Sequence, residues 1–335
     1  MGKRTRVTLE DVAGWDHLAA AFWRAARGKR DRPEVMRFER QLRLELRRLR
    51  EDILDGSGPL GTYQTFMIHD PKRRTIHAPA FRDRVLHHAL AAKIGPALDR
   101  ALVDDTYACR PGKGTLAAVQ RAQDLLRRHP WLIQTDVVRF FDSVHHGVLR
   151  EVLERRLKGS VLALCGRVLS GYESEPQRGL PIGALTSQYF ANSYLGGLDR
   201  LLSEELRVRG MVRYMDDLVW WCSSRREAVD ALNRVSAYVG TSLALRLRPK
   251  VRLQRSAAGL SFCGFRIRRG TLRLSRRRCR RYVAARQRWE LSFREGWIEA
   301  GELQAGYASA WATTQHADAR NFRRADLLRH APPEI

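Results

Sequence analysis

Two short apolar runs, residues 211–215 and 218–221, flank the acidic pair Asp216-Asp217. Both are rich in β-branched and aromatic side chains, so they predict a β-hairpin with two carboxylates at its turn. A third short apolar run, residues 131–138, carries one carboxylate at Asp136 and passes into Arg139-Phe140-Phe141-Asp142. Residues 62–68 alternate in polarity and are followed by a basic extended stretch at residues 72–76. Residues 243–247 alternate as a strand that runs into Pro249-Lys250.

Other stretches show the helical period. Residues 9–27 place Trp15, Leu18, Ala19, Phe22 and Trp23 on one side. The segment from Gly28 to Pro33 breaks that pattern, and Pro33 is a favourable first-turn residue for a second helix. Its apolar stripe is Val35, Phe38, Leu42, Leu46, Leu49 and Ile53, and arginines cover much of the rest. That basic face fits RNA phosphates or a partner protein equally well. Residues 275–293 predict a helix with Tyr282, Ala285, Trp289 and Phe293 inward, and with Arg276, Arg277, Arg280, Arg281 and Arg286 among those largely outward. A last helical segment spans residues 300–330.

Charge narrows the possibilities. The 335-residue chain has 61 Lys+Arg against 36 Asp+Glu, a formal net charge of +25. Such a balance implies a polyanionic partner. No apolar run approaches the roughly 20 residues of a spanning helix, and Met1-Gly2-Lys3-Arg4-Thr5-Arg6 lacks the apolar core of a secretory signal. The expectation is a soluble, cytoplasmic, nucleic-acid-binding protein, without a membrane partner. The five cysteines are irregularly spaced, which offers no zinc pattern and no disulfide framework.

Asp-Asp alone is ordinary turn chemistry. Asp136 changes its weight. If its strand neighbours the hairpin, three carboxylates converge, and such a cluster repels itself and resists desolvation. A hard divalent cation relieves that cost; Mg²⁺ favours oxygen ligands and takes substrate phosphates. Two ions roughly 4 Å apart can clamp the attacking and leaving oxygens of an in-line displacement.

Asp136 with Phe140-Phe141-Asp142, followed by Tyr214-Met215-Asp216-Asp217, resembles motifs A and C of reverse transcriptases. Four further blocks agree in order and spacing from about Arg74 onward. The resemblance implies an α+β fold: a right-hand polymerase with fingers, an antiparallel palm sheet and a small helical thumb. It divides the chain into a basic N-terminal helical extension (1–58), fingers and palm (59–268) and thumb (269–335). It implies RNA-templated DNA synthesis, with Asp136, the Val137 backbone, Asp216 and Asp217 holding two Mg²⁺, for which Mn²⁺ is a possible substitute. Lys250 falls at the family's motif D lysine, which can protonate departing pyrophosphate. In the fingers hairpin Arg74 best matches the residue that grips the incoming triphosphate, and Lys72 is a second candidate. Tyr214 lines the same pocket. Phe141 matches the steric gate, whose ring leaves no space for a 2′-hydroxyl; Phe140 matches core, because strand neighbours face opposite ways. In the Gly-bearing loop 106–115, Arg110 and Lys113 match template-backbone contacts, and Arg276, Arg277, Arg280 and Arg281 would lie on the template–primer duplex.

The block Arg178-Gly179-Leu180-Pro181-Ile182-Gly183-Ala184-Leu185-Thr186-Ser187-Gln188 narrows the resemblance. Retroviral and group II intron relatives carry Gln-Gly in this loop and Ser-Pro at its end. Here Ile182-Gly183 and Ser187-Gln188 stand instead, with Thr186 or Ser187 expected to cap the next helix. That departure is similar to reverse transcriptases of diversity-generating retroelements. It implies mutagenic copying of a template-repeat RNA into cDNA, a pentameric accessory variability determinant as partner, and a structured element RNA. A reverse transcriptase of another bacterial class, retron or phage-defence, and a non-catalytic RNA-binding scaffold are the alternatives.

Overall fold

The computed structural model describes residues 4–69 and 73–333; Lys72 therefore lies outside the described residues. The first helical pattern resolves into two helices, α1 (Leu9–Ala13) and α2 (Trp15–Ala26), because the backbone leaves helical geometry at Gly14. Thr8 and Asp11 close a capping box at the start of α1. Leu18 and Phe22 are buried as expected, whereas Trp15 and Trp23 are exposed. The second pattern also divides, at Gln41, into α3 (Pro33–Arg40) and α4 (Leu42–Asp55). These helices are not a separate body. Phe22, Phe38 and Phe81 pack ring to ring at 5.2–5.9 Å, which joins them to the core that follows.

A hairpin, β1 (Tyr63–His69) and β2 (Arg73–Pro79), leads into α5 (Phe81–Asp99). Helix α5 is apolar around most of its circumference, with Val85, Leu86, Ala89, Leu90, Ile94 and Leu98 all buried, and forms the centre of the larger core. Next come α6 (Thr115–Arg128), β3 (Trp131–Thr135), α7 (Phe140–Ser143), α8 (His146–Glu154), α9 (Gly159–Ser170), α10 (Leu185–Tyr194) and α11 (Gly196–Arg200). The acidic hairpin is β4 (Gly210–Tyr214) and β5 (Asp217–Cys222), followed by α12 (Arg225–Thr241) and β6 (Arg252–Arg255).

The main sheet is antiparallel in the order β4-β5-β3-β6. Side-chain alternation splits its two faces. Ile133, Met211, Leu218 and Trp220 enter the larger helical core, whereas Leu132, Val212, Val219 and Trp221 enter a second core under α6. That second core is completed by a small antiparallel sheet, β7 (Leu260–Phe262), β8 (Phe265–Ile267) and β9 (Leu272–Leu274). Helices α13 (Arg276–Arg294), α14 (Ala300–Ala312) and α15 (Arg320–Arg329) follow.

Four expectations are corrected. Residues 243–247 form no strand: Ala244 has φ +49°, which interrupts an extended run, and the edge strand is β6 instead. Neither Thr186 nor Ser187 caps α10, whose cap position is Ala184; both are buried in its first turn, and Thr186 Oγ1 shares a 2.7 Å hydrogen bond with His87 Nδ1. Arg286 faces inward, paired with Glu290 at 2.5 Å and Asp326 at 3.0 Å. The last segment is two helices rather than one, and Gly306 on α14 lets it approach the Trp289 ring.

Candidate active site and its supporting network

Three carboxylates meet at one end of the main sheet. Tyr214 pairs with Asp217, so β4 and β5 are joined through Met215 and Asp216, and Met215 takes φ +59°. Thr135 pairs with Leu218, and continuing that register by one residue sets Asp136 opposite Asp217. The antiparallel pairing is what brings residues so distant in sequence together.

The support behind the turn was not visible in the sequence. Arg213, on β4, is 0% exposed. Its guanidinium donates to both carboxylate oxygens of Asp199, at 2.7 and 2.6 Å. It also donates to Asn192 Oδ1 at 3.1 Å and to the Met215 carbonyl at 3.0 Å. Asp199 accepts in addition from Thr106 Oγ1 at 3.1 Å. A buried cation is thus satisfied on all sides and fixes the carbonyl of the positive-φ residue in the acidic turn. The signal in the sequence was one charged residue, Arg213, inside a strand whose other inward positions are apolar.

The electrostatics are those of a crowded anionic site. Burial pushes the Asp216 carboxyl up, and the nearby Asp136 charge adds to this. Burial likewise raises Asp217, to about 7; a hydrogen bond from Gln134 Nε2 at 3.1 Å opposes the shift, and Asp216 and Asp136 reinforce it. Asp136 is paired with Arg248 at 2.5 Å. In this arrangement, among the described residues, no three His, Cys, Asp or Glu side chains are gathered closely enough to hold an ion by themselves. The donor chemistry nevertheless fits a hard divalent cation: Asp216 and Asp217, both raised by burial, with Asp136 and the Val137 backbone beside them, are the oxygen set that such an ion stabilises. Arg248 holds the corresponding charge balance on Asp136.

One wall of the site is built from three segments. Phe140 is core, 3% exposed, and Phe141 is half-buried with its ring 5.7 Å away; the pair lies on helix α7 rather than on a strand. The Phe141 carbonyl accepts from Leu180 N–H at 2.7 Å, and the Ile182 carbonyl accepts from His77 N–H at 2.8 Å. The loop 178–188 is thereby laced to α7 on one side and to the β1–β2 hairpin on the other. Gly183 has φ +131°, and an added Cβ would sit 3.0 Å from the His77 carbonyl, so a side chain there is both strained and crowded. Tyr214 Oη accepts from Thr115 Oγ1 at 3.2 Å. Gln188 is half-buried, and Arg74 and Lys250 are exposed.

Of the expected template contacts, Arg110 is corrected. Its guanidinium is turned into its own loop, donating to Asp99 at 2.6 Å and to the carbonyls of Val103 and Thr106 at 2.7 and 2.9 Å. It builds the loop rather than facing outward. Lys113 is held by Asp104 at 2.6 Å. On α13, Arg276, Arg280 and Arg281 are exposed and Arg277 is half-buried.

Residues 69–265, more than half the chain, match the family described as reverse transcriptase (RNA-dependent DNA polymerase). This chain belongs to the reverse transcriptase family. Protein YkfC of Escherichia coli is 25% identical over 181 residues, covering 50% of this chain and 48% of that protein. The putative COX1/OXI3 intron 2 protein of Saccharomyces cerevisiae is 22% identical over 132 residues, covering 37% of this chain and 16% of that protein. The chain thus spans about half or less of these relatives. An apo telomerase from Candida tropicalis superposes with a TM-score of 0.50 at 10% identity, over 65% of this chain and 49% of that one. The fold is accordingly that of a right-hand polymerase, with helices around an antiparallel palm sheet. Among the described residues of this reverse transcriptase-family chain, no helix is long and apolar enough to cross a membrane.

The buried network yields a specific expectation. Asp199→Asn leaves the Arg213 guanidinium buried and uncompensated, which costs about 3–5 kcal/mol. Urea unfolding of the variant measures this. The double variant Arg213→Met/Asp199→Leu recovers much of the stability but loses the bond to the Met215 carbonyl, so its primer extension stays low. Equal stability of Asp199→Asn and the parent protein would contradict this role.

Proposed function

We propose that this chain is an RNA-directed DNA polymerase that extends a 3′-hydroxyl with deoxynucleotides on an RNA template, with release of pyrophosphate. The observation that carries the reading is the meeting of Asp136, Asp216 and Asp217 at one end of the palm sheet. Asp136, Asp216, Asp217 and the Val137 backbone would hold two Mg²⁺, or Mn²⁺ in their place. When bound, such ions supply charge stabilisation for the attacking and leaving oxygens. The chain's own residues do the remainder. Arg74, with Lys72 as second candidate, grips the triphosphate. Phe141 closes the space that a 2′-hydroxyl needs, and Tyr214, Gly183 and Gln188 line the nucleotide pocket. Lys250 offers a proton to the departing pyrophosphate. Lys113 and the α13 arginines Arg276, Arg277, Arg280 and Arg281 lie along the duplex backbone.

The finer role we propose is that of a diversity-generating retroelement enzyme, which copies a template-repeat RNA into error-bearing cDNA with a pentameric accessory protein as partner. Ile182 supports it. An amide at this position can hydrogen-bond near the incoming sugar, a bond that forms well only when the new pair has correct geometry; isoleucine offers contact alone. The lost bond is worth about 0.5–1.5 kcal/mol, up to roughly tenfold in relative rate.

Two substitutions test the reading on a primed RNA with Mg²⁺. Phe141→Ala is expected to lower the ratio of deoxy- to ribonucleotide incorporation efficiency; an unchanged ratio makes Phe141 core. Ile182→Gln is expected to lower misincorporation several-fold while extension persists, since the loop's anchor to His77 uses the backbone carbonyl. Sequencing the cDNA decides it, and an unchanged error spectrum with extension retained places infidelity elsewhere.

A further inference from the structure

Among the described residues, four arginines without an acidic partner converge on one concavity outside the carboxylate site. It has a volume of about 440 Å³ and is lined by Arg4, Arg6, Arg100 and Arg156, with Thr5 and Ala97 between them. The elements that meet here are the segment before α1, the end of α5 and the end of α8. Thr5 N–H donates to the Arg156 carbonyl at 2.8 Å, which fixes the N-terminal segment across the end of α8. None of the lining residues belongs to the acidic end of the palm sheet, to the loop 178–188 or to α13.

Among the described residues, no carboxylate lies within ion-pair distance of Arg4, Arg6, Arg100 or Arg156. Other basic residues of this chain do find partners, as Arg110 does with Asp99 and Arg121 with Asp105. Arg100 has a local reason to stand where it does, since it caps the C-terminus of α5, where the helix dipole favours a cation. Arg156 stands likewise just past the end of α8, whereas Arg4 and Arg6 have no such reason. An adjoining concavity of about 410 Å³ shares Arg156 and adds Arg155 and Arg200, against a single acid, Glu151. Like charges gathered around one hollow repel each other unless an anion enters it.

We propose that this basic concavity is a second RNA site, which holds the phosphodiester backbone of a segment outside the template channel. Repeated cations across two adjoining hollows match a ligand with repeated charges; an isolated phosphate needs one hollow. A bilayer surface fits less well, because Thr5 and Ala97 offer nothing large and apolar to insert between lipids, and Leu98, Tyr194 and Leu243 of the adjoining hollow are buried. The proposal goes beyond templated synthesis: the same chain anchors its RNA at a place where no chemistry occurs.

The test preloads the full-length protein with excess unlabelled primed RNA–DNA hybrid and then titrates a fluorescein-labelled oligouridine, followed by anisotropy at several salt concentrations. Arg6→Ala/Arg156→Ala is expected to weaken oligouridine binding about tenfold and to reduce the salt slope by about 1.4, at roughly 0.7 per phosphate contact on a single strand. Arg6→Lys/Arg156→Lys keeps the charge and retains most of the binding, which separates charge loss from misfolding. Arg225→Ala/Arg226→Ala, two exposed arginines on α12, is the control and leaves binding within twofold. Extension of the short hybrid is unchanged in all variants, so a failure of polymerase activity is read separately. Equal losses in the two alanine pairs mean a diffuse basic surface and overturn the proposal. So does inorganic phosphate, or a vesicle of anionic lipid, displacing the oligouridine at matched phosphate concentration.

Discussion

The acidic end of the main sheet depends on one buried ion pair. Arg213 and Asp199 are both fully buried, and the guanidinium reaches past its partner to the Met215 carbonyl in the acidic turn. An isolated charge in that position would cost several kcal/mol. The surroundings therefore have to close around it, and they do: Thr106 and Asn192 supply the remaining partners, while Arg213 N–H donates to the Asp105 carbonyl and Tyr107 N–H donates to the Arg213 carbonyl. The loop before α6, helix α10, helix α11 and strand β4 are all tied to this ion pair or to the Arg213 backbone. A turn with a positive φ at Met215, next to two carboxylates, is held by this arrangement rather than by its own local preference.

On the open side of the sheet the balance is reversed. Asp216 and Asp217 are raised by burial, Asp136 adds to both shifts and Asp216 to that of Asp217, and Asp136 leans on Arg248. Behind the turn, cation and anion are matched within the protein; in front of it, negative charge is left for something else to match. The loop 178–188 is laced to α7 and to the β1–β2 hairpin by backbone hydrogen bonds whose donors and acceptors do not depend on side-chain identity. Positions such as Ile182 can therefore vary in chemistry while the loop keeps its path.

The acidic hairpin was legible because both partners in a hairpin are close in sequence and their alternation is strong. Asp136 could be joined to it through the resemblance of its motif, with the register supplied by the sheet. The long helix α13 also followed from pattern alone, with Ser275 turning out to be its cap rather than its first residue. What escaped depends on contacts distant in sequence. Arg286 reads as one more outward arginine until Asp326, forty residues on, is seen beside it. Arg110 reads as a template contact until Asp99 is found within reach. The alternation at residues 243–247 reads as a strand, yet Ala244 turns the chain and only a single bridge, Val137 to Leu247, survives. Gly14 and Gln41 interrupt helices whose apolar stripes run on through them.

The claim that joins these observations is that the carboxylates at the end of the palm sheet perform the chemistry while the basic surface holds the nucleic acid. Asp216→Asn separates the two most directly, because it removes one ligand charge and leaves every arginine in place. Extension of a primed RNA and affinity for the same RNA, measured on parent and variant, are the quantities required. The account predicts extension reduced to background with affinity changed less than about twofold. Near-parental extension by Asp216→Asn would contradict it.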